Sequence, residues 1–152
     1  MSVVRKFLPK TALTKMMKEA GDISASEALR RADVALGELE AGCLDAVDQA
    51  LDALETSAKS AQPDLDAMYK HSADIVGLCG AFPAEGLDEA ARSLCDYLDL
   101  VSEGEPHDLR VTGVHIASMR LLHRSDAPSE VRRQIVEGLA QAAARHHQPS
   151  KG

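Results

Sequence analysis

The stretch LDAMYKHSADIVGLCGAFPAEGLDEAARSLCDYLDLVS, residues 65–102, decides the fold. Apolar or small residues recur at helical spacing twice within it. Met68, Ser72, Ile75, Cys79 and Phe82 follow one another at intervals of three and four, and Leu87, Ala90, Ala91, Leu94, Leu98 and Val101 form a second such set. Each set makes one stripe along a helix of 3.6 residues per turn. Pro83 and Gly86 interrupt the pattern between them, so the segment predicts two antiparallel helices joined by a turn.

Working outward, the same periodicity extends in both directions. Upstream, Leu29, Ala32, Leu36, Leu39, Cys43, Ala46, Ala50 and Leu54 predict one long amphipathic helix over residues 24–57. Ser24 and Ser26 can cap its first amides, and Glu27 suits the positive end of the helix dipole. About 30 residues at roughly 1.5 Å each span about 45 Å, longer than a bundle needs, so Gly37 or Gly42 bends this helix or one end projects. Pro63 fits the first position of the next helix. Downstream, Val111, Val114, His115, Ser118, Leu121 and Leu122 predict a fourth helix over 107–123, and Val131, Ile135, Leu139 and Ala142 a fifth after Pro128. The expectation is an all-α protein: an up-down bundle of four to five helices over residues 24–146 with a long first helix. A basic segment over 1–23, with a short helix at 11–20, precedes it, and a disordered tail over 147–152 follows.

Composition agrees and removes other classes. Of 152 residues, 45 % are apolar and only 3 % aromatic, with no Trp, and the β-branched runs of strands are missing. No run approaches 18 consecutive apolar residues and no signal-peptide pattern opens the chain, which points to a cytoplasmic protein with no membrane contact. Residues 1–20 carry Arg5, Lys6, Lys10, Lys15 and Lys18 against Glu19, while the whole chain has a net charge of −7. An acidic body without an aromatic-studded basic face argues against nucleic acid as a partner. The basic segment reads as folding back on that body or as an arm for an acidic partner.

Few side chains suggest chemistry. Cys43, Cys79 and Cys95 share no C-x-x-C spacing and sit among apolar neighbours, so they read as core residues, with neither disulfide nor metal implied. Asp45, Asp48 and Asp52 share one helix face, which reads as a solvated ridge. No Ser-His-Asp arrangement and no phosphate-binding glycine loop is visible, so no enzymatic turnover and no cofactor are expected. His115 falls on the apolar face of helix four, where a hydrogen-bonded interior histidine is expected. His107 reads as a first-turn residue. His123, His146 and His147 sit near helix ends, too dispersed for a metal site. His71 lies roughly 90° to one side of the second helix's buried stripe. That flank also carries Lys70, Asp74 and Gly77, with Gly80 one turn on. These five residues are the candidate partner-binding surface, its glycines leaving bare backbone for a close approach.

The hairpin resembles a histidine phosphotransfer (HPt) domain, in which a helical histidine within H-x-L-K-G-S passes a phosphoryl group between signalling proteins. Placing His71 on that histidine leaves Ala73 at the leucine, Asp74 at the lysine, Ile75 at the glycine and Val76 at the serine. Matching by the turn at Phe82-Pro83 instead puts Ile75 at the leucine, Gly77 at the glycine and Ala73 at the acceptor position. The chain is also similar to a group of small alphaproteobacterial proteins, the chemotaxis protein CheE group, related to HPt domains. That resemblance rests on Gly21-Asp22-Ile23-Ser24 leading into EALRRAD, on Ala90-Ala91-Arg92-Ser93-Leu94-Cys95, and on Val114-His115-Ile116-Ala117-Ser118-Met119-Arg120-Leu121-Leu122, over about residues 1–123.

The resemblance implies two-component or chemotaxis signalling. The expected role is non-catalytic docking of a response regulator receiver domain or a histidine kinase, because Asp74 stands where an incoming phosphate would need a cation. Two other roles stay open: a true phosphorelay through His71 as acceptor, and a structural homodimer built on the long first helix.

Overall fold

The structure, a computed structural model, describes residues 24–82, 84–124 and 126–146. The basic segment over 1–23, its expected helix at 11–20 and the tail over 147–152 lie outside these. Every regular element among the described residues is helical: α1 (Ala25–Lys59), α2 (Leu65–Ala81), α3 (Leu87–Ser102), α4 (Leu109–Arg124) and α5 (Ser129–His146). The result is a helical bundle with a first helix of 35 residues.

Local chemistry sets the helix ends. Asp64, not Pro63, starts α2: its Oδ1 accepts the Ala67 amide at 2.9 Å, which leaves the proline just outside the helix. Asp108 does the same for α4, its Oδ1 accepting the Arg110 amide at 2.8 Å, so His107 precedes the helix rather than sitting in its first turn. The turn between α2 and α3 ends at Gly86, whose φ of 84° is left-handed backbone. A Cβ there would also lie in tight contact, 3.0 Å from Val136 Cγ2 on α5, but it is the left-handed backbone that calls for glycine at this residue.

Among the described residues the contacts divide the chain inside α1, into one unit that runs up to Leu39 and one that begins at Glu40. In the second unit, α3 packs against α2, α4 and α5. Its buried face is wide: Leu87, Ala90, Ala91, Leu94, Tyr97, Leu98 and Val101 are all inaccessible. Met68, Ile75 and Cys79 of α2 meet it, with Val47, Leu51 and Leu54 of α1, Ile116, Met119 and Leu122 of α4, and Leu139 of α5 completing one core. Full burial of each such Leu, Ile or Met contributes about 1.5–3 kcal/mol. In the first unit the periodicity of α1 is not matched by burial. Leu29, Leu36 and Leu39, expected on the core stripe, are exposed, and the buried residues of α1 begin at Val47. Val131 of α5, expected inward, is exposed as well.

Arg132 closes the end of the bundle. Its Nη1 donates to the carbonyls of Leu122 and Glu85 at 2.7 and 3.1 Å, and its Nε to that of Ala127 at 3.0 Å. It thereby satisfies a terminal carbonyl of α4 while tying the α2–α3 turn to the start of α5.

The two kinds of glycine in this fold should separate on substitution. Gly86→Ala is expected to lower the urea unfolding free energy by about 1–2 kcal/mol for the left-handed backbone alone. Gly77→Ala, on an open helical face, should raise it by roughly 0.5–1 kcal/mol.

Candidate functional site

The flank of α2 opposite to α3 faces the second half of α1 across an open groove of about 670 Å³. Ala46, Gln49 and Ala50 of α1 line one side; Lys70, His71, Ala73, Asp74, Gly77 and Leu78 of α2 line the other. Four of the five residues singled out from the sequence thus meet in one place. Gly80 is exposed on the same helix but is not part of the groove lining. Both candidate acceptor positions, His71 and Ala73, line this groove.

The groove is built of small side chains with a narrow polar rim. Lys70 Nζ donates to Asp74 Oδ2 at 3.1 Å, one helical turn on, and both side chains are largely exposed. A pair this exposed adds little stability. Its effect is on charge: the ammonium nearest His71 in sequence already holds a carboxylate, so the local field on an incoming anion is weak. His71 is half-buried and Ala73 and Gly77 are exposed. A Cβ added at Gly77 would meet nothing within 4 Å, so the bare backbone there is open to contact.

A second polar cluster lies between α3 and α4, and only His115 in it was anticipated. His115 is fully buried, and its Nδ1 lies 2.8 Å from the Val111 carbonyl oxygen. A carbonyl can only accept, so Nδ1 carries the proton. Burial holds the imidazole pKa below its ordinary value, partly offset by that hydrogen bond, and the ring is neutral. Nε2 therefore accepts from the Ser93 hydroxyl at 3.0 Å. Tyr97 stacks on the His115 ring with centroids 6.4 Å apart, and its Oη accepts the Asp108 amide at 2.7 Å. His107 Nε2 lies 2.9 Å from Thr112 Oγ1, and burial lowers its pKa as well, against the pull of Asp108.

The acidic ridge of α1 is not simply solvated. Arg120 of α4 donates to Asp52 Oδ1 at 2.6 Å and to Glu55 Oε2 at 2.8 Å. His123 Nε2 lies 3.1 Å from Asp48 Oδ1 with its side chain only 2 % exposed. The hydrogen bonds from Lys59 and Arg120 hold the Glu55 carboxyl below the usual carboxylate range. These carboxylates join α1 to α4.

No family model, curated protein or solved structure matches the chain. Among the described residues no group of three or more His, Cys, Asp or Glu side chains could hold a metal ion. No helix among them is long and apolar enough to cross a membrane.

The buried histidines set a pH dependence. Below the ordinary imidazole value of 6.5 the unfolded chain takes up protons that native His115 and His107 refuse, so the unfolded state binds more protons and stability falls as pH drops. Each such proton contributes a slope of at most about 1.4 kcal/mol per pH unit. Urea melts between pH 7.5 and 5.5 should show this decline for the wild type. His115→Gln, less stable at pH 7.5 through loss of fit, should show a shallower one.

Proposed function

We propose that this chain is a non-catalytic two-component or chemotaxis signalling protein, an HPt-like helical bundle that docks a receiver domain or a histidine kinase through the α1–α2 groove without carrying phosphate. The observation that carries this reading is the groove itself. A helical bundle presents an open groove lined by Ala46 and Ala50 on one side and by exposed Ala73 and Gly77 on the other, and rimmed by one mutually neutralised Lys70–Asp74 pair. Small side chains and bare backbone suit the close approach of a partner's helix. The engaged ammonium disfavours phosphoryl transfer, because catalysis of that step depends on cations free to stabilise charge on the phosphoryl oxygens. The reading assigns the chain to the cytoplasm, where receivers and kinases meet.

A second reading, a relay through His71, is supported by the place of that side chain on the groove wall beside Lys70. The two readings differ in one experiment. Phosphorylated receiver domains from the source cell, incubated with the chain, should bind it and leave no acid-labile, base-stable label on it. Label that disappears in His71→Gln would overturn docking without transfer. Gly77→Leu, which fills the groove from an exposed helical position, should weaken receiver or kinase binding at least tenfold in a titration, about 1.4 kcal/mol, with helix content unchanged.

A further inference from the structure

The first half of α1 carries an apolar seam that no described residue covers. Every residue from 28 to 42 is exposed, including Leu29 at 66 %, Leu36 at 56 % and Leu39 at 59 %. Together with Ala25, Ala32 and Cys43 these leucines recur at alternating intervals of four and three, a heptad seam. A helix without tertiary contacts is marginal in water, and leucines at this spacing are what a helical partner covers.

We propose that the occupant of this seam is α1 of a second copy, running antiparallel, with the two-fold axis level with Val34. Side-chain size and charge both select this arrangement. In that register Leu29 meets Leu39 of the second copy and Ala32 meets Leu36, so each of the four central layers holds a leucine. A parallel pair would oppose Ala32 to Ala32 and leave a gap. Both arginines of the segment, Arg30 and Arg31, lie in its first half together with Glu27 and Asp33, and its second half holds Glu38 and Glu40 with no cation. Antiparallel packing sets Arg31 level with Glu38 across one side of the seam and Arg30 near Glu40 across the other. Ala28 and Ala35 flank the seam and let the helices approach closely enough for the outer Arg31–Glu38 pair to form. Parallel packing would align like charges instead. Arg30 and Arg31 both bond to Glu27 of their own helix, which leaves their remaining donors for the second copy. The overlap ends at Cys43, before Val47, the first buried residue of α1.

Sedimentation of the full chain at tens of micromolar should give twice the mass of one chain. Leu36→Glu should halve that mass with helix content and urea midpoint of the bundle retained. Arg31→Glu and Glu38→Arg should each weaken association about tenfold, and the two together should restore it. Orientation is read by thiols. Ala35→Cys lies beside its own symmetry mate only in the antiparallel pair and should cross-link under mild oxidation. The native Cys43 residues, 18 positions apart along the paired helices, should not. A wild-type mass of one chain, a Cys43–Cys43 cross-link, or a charge swap that fails to restore association would each overturn the proposal.

Discussion

The wide buried face of α3 is the constraint on which the rest of the bundle depends. Its residues fall at successive intervals of three, one, three, three, one and three from Leu87 to Val101, a span of surface broad enough to receive helices on two sides at once. Ala90 and Ala91, both fully buried, let neighbouring backbones close in, and Leu94 and Leu98 fill the space between. Because α2 gives Met68, Ile75 and Cys79 to that face, the residues a third to a half of a turn away have no place in the core. Lys70, Asp74 and Gly77 are exposed for this reason, and the groove exists because α1 meets α2 through alanines there rather than through large side chains.

Polar contacts then fix how α4 sits on this core. Hydrophobic burial is indifferent to small slides along a helix axis, whereas a buried imidazole that must donate to Val111 and accept from Ser93 tolerates little displacement. Tyr97 ties the start of α4 to the middle of α3 through the Asp108 amide. Arg120 grips α1 on the other side of the same helix. The apolar core supplies the attraction, and these groups specify the alignment.

The hairpin of α2 and α3 was legible because both stripes end in the core, where period and burial coincide. The start of α2 was misjudged by two residues because Pro63 is a general marker of helix starts, whereas the Asp64 side chain makes the bond that starts this one. The acidic ridge of α1 read as solvated because its partner Arg120 lies 68 residues away from Asp52, and local spacing holds no record of such a pairing. Leu29, Leu36 and Leu39 show the opposite failure. Periodicity reveals a face that wants a cover and is silent on whether this chain supplies it. The groove was legible in four of its α2 residues, but Ala46, Gln49 and Ala50 could be joined to them only once the helices were packed.

Cys79 gives the bundle a built-in reporter. Its thiol is buried between α2 and α3, and burial pushes its pKa up, so the reactive thiolate is scarce and shielded from reagents. Cys43 on α1 and Cys95 on α3 are only half-buried, and burial pushes the Cys95 thiol up as well. Alkylation of the native chain is therefore slowest at Cys79, where it is paced by separation of the two core helices. The slow rate measures how often the groove wall detaches from the helix that holds it in place.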